Sequence, residues 1–119
     1  MQTLLVKDVI GDSLAVTSDK GEIVFKILKE NIKNNQPTLL DFEGITDLIS
    51  AFSNTAIGQL YDIADSETLK KFVKVKPETL HPADRKTIER SISNSRNRRK
   101  QDKEFRQLLA SEMDKELEL

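Results

Sequence analysis

The segment Leu39 to Tyr61 constrains this chain most. Thr38-Leu39-Leu40-Asp41-Phe42-Glu43 is a short apolar run of strand type, stopped by Gly44. Such a run suits the interior of a sheet. An amphipathic run follows, roughly Ser50 to Ala64. Phe52, Ala56, Ile57, Leu60 and Ile63 fall on one helical face there, while Asn54, Gln59 and Asp62 point elsewhere. A strand fed directly into a helix asks for a second parallel strand, reached by a crossover.

The flanks supply the other elements. Leu4 to Ile10 reads as a strand, Gly11-Asp12 as a turn, and Ser13 to Thr17 as a second strand with Leu14 and Val16 on one face, the pattern of a hairpin. Ser18 or Asp19 is placed to cap a helix carrying Ile23, Ile27, Leu28 and Ile32, with Val24 and Phe25 widening its apolar face; Asn34 to Pro37 ends it. Asp65-Ser66-Glu67 breaks the helical pattern, and Phe72 to Lys76 alternates apolar and basic residues as an edge strand does. Pro82 opens a last helix with Ile88 and Ile92 inward. The expected fold class is α/β, in the order β-β-α-β-α-β-α, with a mixed sheet covered by helices and an extended C-terminal helix. Residues 1–95 are expected to form the domain and 96–119 a charged helical extension.

Length and composition agree with one small domain. The chain has 119 residues, 37% hydrophobic and 33% charged, enough for a modest core and too apolar for a disordered chain. Cysteine is absent, which favours a reducing compartment. No signal-type N-terminus and no membrane-length apolar run is visible, so a cytoplasmic protein without membrane contact is expected.

The chemistry-bearing residues are sparse. His81 stands alone beside Pro82, as a capping or surface residue, and no cysteine can join it as metal ligand or nucleophile. Asp41 and Glu43 share a strand face around Phe42 and could form a small acidic site, although solvation or an ion pair is the simpler role. The glycines make no phosphate-loop pattern. Neither enzymatic activity nor a metal or cofactor is expected.

The motif Asp41-Phe42-Glu43-Gly44 and the helix Ala51-Phe52-Ser53-Asn54-Thr55-Ala56-Ile57-Gly58-Gln59-Leu60-Tyr61 resemble the STAS-like domain family, small bacterial and phage proteins related to anti-sigma-factor antagonists. The resemblance covers about Leu4 to Ser95. It implies a regulatory module that switches partners. In STAS antagonists a serine at the start of the helix after the central strand is phosphorylated by an ATPase-fold kinase, and the phosphate then blocks partner binding. Ile49-Ser50-Ala51-Phe52 stands where the antagonists carry Asp-Ser-Ser-Gly. Without gaps, Ser50 matches the first serine and Ala51 the second, the usual acceptor; a shift of one places Ser50 on the acceptor. Ser50 is therefore the candidate phosphoacceptor, with a helix-capping role as its plainer reading. Asn54 is a candidate partner contact or an ordinary surface residue, Ser53 an exposed or packed helix residue, and Gly58 a point of close helix-sheet approach.

The C-terminal stretch has its own logic. Arg96, Arg98, Arg99 and Lys100 make it densely basic, and Phe105, Leu108, Leu109, Met113 and Leu117 then recur at helical spacing before an acidic end. One helix from Pro82 past Met113 is expected, weakest between Ser91 and Asn97. About twenty residues beyond Ser95 would extend about 30 Å, too far to pack on so small a sheet. Phe105, Leu109 and Met113 are thus candidate partner contacts. Antiparallel homodimerisation would set each basic block near the other chain's acidic end; folding back on the domain is the rival. Arg96, Arg98, Arg99 and Lys100 also raise nucleic-acid binding. Interleaved Asp102 and Glu104, a near-neutral balance and the lack of stacking aromatics argue against it.

Overall fold

The computed structural model describes the backbone of residues 1–117 and the side chains of residues 1–109. Its main sheet has three strands, β1 (Gln2–Leu5), β3 (Thr38–Asp41) and β5 (Val73–Val75), in the order β1-β3-β5. Both pairings are parallel, with Leu4 opposite Leu40 and Leu40 opposite Val75. The central strand is thus the one with the strongest apolar run. Its inward residues Thr38 and Leu40 are fully buried, and the Thr38 hydroxyl oxygen accepts from Asn31 Nδ2 at 2.9 Å, so the buried polar group is satisfied.

A second, two-stranded sheet pairs β2 (Leu14–Ala15) with β4 (Asp47–Leu48), also in parallel. This corrects two expectations. The sheets are not mixed, and β1 and β2 form no hairpin. The apolar run from Leu4 divides: after β1 the chain turns into a one-turn helix, α1 (Val6–Ile10), whose Val6 and Ile10 are buried one helical repeat apart. Gly11 closes α1 in the left-handed region at φ 68°, a conformation that costs a residue without Cβ little. A helix between β1 and β2 lets them separate into two sheets.

Helix α2 (Ser18–Lys33) is capped by Thr17, whose hydroxyl accepts from the Lys20 N–H at 3.3 Å, rather than by Ser18 or Asp19. It buries Val24, Phe25 and Leu28, with Ile27 and Ile32 partly covered, while Ile23 faces solvent. Gly21 lets α2 press on α3 (Ser50–Ala56): a Cβ there would lie 2.8 Å from the Phe52 carbonyl oxygen.

The long helix expected from Ser50 to Ala64 is broken. Helix α3 ends at Ala56 and a 3-10 turn spans Gly58–Asp62. Phe52, Ala56, Ile57 and Leu60 keep their inward positions, but Ile63 is exposed. A further helix, α4 (Ser66–Phe72), fills the stretch read as a break. The Asp65 carboxylate caps it by accepting from the Thr68 N–H at 2.9 Å, and Glu67 adds an acid to its first turn. These contacts hold the Asp65 carboxyl below the usual aspartate range, helped by the charges of Arg99 and Lys103.

Helix α5 (Pro82–Leu117) runs unbroken for 36 residues. Its first half is part of the core assembly: Ile88, Ser91 and Ser95 are buried and Ile92 is partly covered. Gly58 makes that fit possible, since a Cβ there would lie 2.7 Å from Ser95 Oγ. The close approach at Gly58 is therefore to another helix, not to the sheet. The stretch Ser91 to Asn97, weak by helix propensity, is held by packing instead. Beyond it the helix leaves the body, and the molecule measures 63 × 29 × 23 Å along its principal axes.

Candidate functional site

The small sheet positions the candidate switch. Strand β4 turns Leu48 inward, and Ile49, in extended conformation, sits at the cap position of α3 with no side-chain capping bond. Its N–H donates to the Ala15 carbonyl at 3.1 Å, which ties the start of α3 to β2. Ser50 is the first helical residue and is exposed. It is not the cap that the plainer reading made it.

Two large apolar side chains are exposed at the β2–β4 pair and its exit into α3. Ile49 is 48% exposed and Leu14 is 40% exposed, both on the solvent side of the β2–β4 pair, where Ala15 and Leu48 take the inward positions. Sequence reasoning missed both. Leu14 was placed with Val16 on one face of a strand, and Ile49 appeared only in the motif Ile49-Ser50-Ala51-Phe52. The loop before β2 is fixed by Asp12, which accepts from the Leu14 N–H at 3.0 Å and pairs with Lys20. The Lys20 ammonium holds the Asp12 carboxyl below its ordinary range.

The other candidates lie apart from this face. Asn54, read as a partner contact or an ordinary surface residue, accepts through Oδ1 from Ser91 Oγ at 2.7 Å, so it links α3 to α5. Ser53 is fully buried and its hydroxyl finds no hydrogen-bond partner among the described residues. Asp41 accepts from the Glu43 N–H at 2.9 Å, a local turn that leaves Glu43 exposed. His81 is exposed at the entrance of α5, and its carbonyl accepts from the Arg85 N–H at 3.0 Å. Nearby Asp84 is partly buried, which pushes its carboxyl up; His81 opposes that shift and Asp47 adds to it.

On α5 the four basic candidates divide. Arg98 pairs with Asp62 at 3.0 Å, and Arg99 donates to the Tyr61 carbonyl at 2.6 Å. Both brace the helix against the 3-10 turn. Burial pushes the Tyr61 phenol up, with the charge of Arg96 opposing. Arg96 and Lys100 are exposed and line an open depression beside Ser66 and Ser93. Phe105 and Leu109 are 61% and 44% exposed. The Met113 side chain lies outside the described residues. Among the described residues, no group of three or more acidic, histidine or cysteine side chains is placed to hold a metal ion, and no helix is long and apolar enough to cross a membrane.

No curated protein matches this chain, and no solved structure does. One family does match: the STAS-like domain of unknown function (DUF4325), over residues 20–79 of the 119. That span runs from the first turn of α2, through the central strand and the β4–α3 junction that carries Ser50, to the turn after β5. The match covers half of the chain, including all of Leu39 to Tyr61, and the chain belongs to this STAS-like family.

Proposed function

We propose that the chain is a non-enzymatic regulatory module that binds a protein partner through the β2–β4 face and is switched by phosphorylation of Ser50. The observation that carries this reading is the exposure of Ser50 at the first position of α3, next in sequence to the exposed Ile49 and directly after the β2–β4 pair that also exposes Leu14. Membership of a STAS-like family supports it, because the switch of STAS antagonists lies at the corresponding strand-helix junction.

The chemistry is simple. A partner kinase, of the ATPase fold in the antagonists, would move the γ-phosphoryl of ATP to Ser50 Oγ. The hydroxyl proton leaves to a base of the kinase, the Pβ–O–Pγ bridge breaks and ADP departs. The product carries about −1.5 to −2 charges where the unmodified face offers apolar contact. A partner that buries Ile49 and Leu14 would then have to desolvate a phosphate, so binding is lost.

A photo-crosslinking residue at Leu14, in cells that produce the protein naturally, tests the reading. A discrete crosslinked protein is expected, absent when Ser50 is replaced by Glu and retained with Ala. Crosslinks indifferent to Ser50→Glu, or none from this face, overturn it. The nucleic-acid reading has less support, since Arg98 and Arg99 are engaged within the fold.

A further inference from the structure

The outer part of α5 carries an apolar face that the chain itself does not cover. Phe105, Leu108 and Leu109 are 61%, 59% and 44% exposed. Spacings of three and four place them on one side of the helix. The sequence continues the pattern with Met113 and Leu117. Three large apolar side chains on adjacent turns form a contiguous patch, unlike the singly scattered apolar residues of an ordinary surface.

We propose that this outer segment, residues 100–117, pairs with the same segment of a second copy in an antiparallel two-helix contact. The choice of occupant rests on charge. From Lys100 to Leu108 the sequence carries Lys100, Lys103 and Arg106 against Asp102 and Glu104, a small positive excess; from Leu109 to Leu117 it carries Glu112, Asp114 and Glu116 against Lys115, an acidic excess. A parallel pair would set like charge beside like along its whole length. An antiparallel pair sets the basic turns of each helix beside the acidic turns of the other. With the two-fold axis between Leu108 and Leu109, position 103, a lysine, falls in register with 114, an aspartate, and position 102, an aspartate, with 115, a lysine. One self-complementary surface serves both copies, the form that closes as a dimer. The antiparallel arrangement also sends the two globular bodies to opposite ends of the seam.

The contact is short. Eighteen residues of helix, 100–117, span about 27 Å. A seam of that length is below the standard size of a permanent interface and corresponds to a reversible dimer, with a dissociation constant in about the micromolar range. The contact is separate from the Ser50 face and does not depend on it.

Sedimentation equilibrium of the full chain, from about 1 µM to about 1 mM, tests the proposal across that affinity range. A monomer–dimer equilibrium is expected. Leu109→Asp should weaken it by at least about tenfold, because the seam would bury an unpaired carboxylate, and should leave thermal unfolding of the dilute monomer unchanged. Orientation is read by cysteine crosslinking, which is clean because the chain has no cysteine. Leu109→Cys should crosslink readily. Gln101→Cys should not, since antiparallel copies of that position lie about 22 Å apart along the helix axis. A monomer across the whole concentration range overturns the proposal. So does Leu109→Asp without effect on association, or Gln101→Cys that crosslinks as well as Leu109→Cys. A lowered unfolding temperature of dilute Leu109→Asp would instead place the face on the chain's own domain, and also overturns it. Ser50→Glu should leave the dimer intact, which separates this result from the fate of the Ser50 reading.

Discussion

The two halves of α5 use different residues for different ends. The inner half meets the body through buried Ile88, Ser91 and Ser95 and partly covered Ile92, and it fits because Gly58 opposite has no Cβ. The outer half carries Phe105, Leu108 and Leu109, large apolar side chains, and leaves them in water. Large apolar side chains are therefore covered along one half of the helix and exposed along the other. Docking of the inner half comes from close approach and a few specific bonds, and the apolar surface of the outer half is left for association.

Four substitutions and one titration would break or sharpen this contrast. The largest loss should come from Ile88→Ala, which empties a buried site and costs about 3 kcal/mol in urea unfolding. If its cost matches that of an outer-half change, the inner half is not part of the fold's core. Gly58→Leu should cost about 2 kcal/mol, because the new side chain must push α5 away from Ser95. Ser91→Ala removes its bond to Asn54 and should lower stability by about 1 kcal/mol. Leu109→Ala, measured on dilute protein, should stay within about 0.5 kcal/mol of the parent, as an exposed position does.

The smallest effect lies where the two halves meet. Asp65 is held ionised by its cap bond and by Arg99 and Lys103. Its folded carboxyl sits below its unfolded value, so it stabilises the fold above that value, and this is lost as the pH falls through the folded one. The stability gap between the parent and Asp65→Asn should therefore narrow on titration from pH 7 into the range below about 4. A gap that is constant with pH would remove Asp65's charge from the account.

The sequence was most legible where one periodicity ran alone. The apolar run at Leu39 and Leu40 is the central strand, and the stripe through Phe52, Ala56, Ile57 and Leu60 lies inward. It was least legible where short elements share apolar residues. Val6 and Ile10 belong to a run that reads equally as strand, and only the Gly11 cap marks the single helical turn. Gly58 was read as a point of close helix-sheet approach, whereas it lies past the end of α3 and its close neighbour is Ser95 of α5. Asp65 looked like a breaker and is a cap. At the candidate switch, the position of Ser50 after a strand was readable. The exposure of Leu14 and Ile49 was not, because it follows from a pairing between β2 and β4 that are distant in sequence.

Helix α5 has no glycine or proline between Ala83 and Leu117. A rod without a hinge has only its mounting as a place to yield. A sideways load on the outer end is therefore delivered as torque to the contacts where the rod is bolted to the body: Ser95 on Gly58, Ser91 on Asn54, and Arg99 on the Tyr61 carbonyl. Asn54 lies one turn along α3 from Ser50. The helix is a lever, and its fulcrum stands next to the candidate switch.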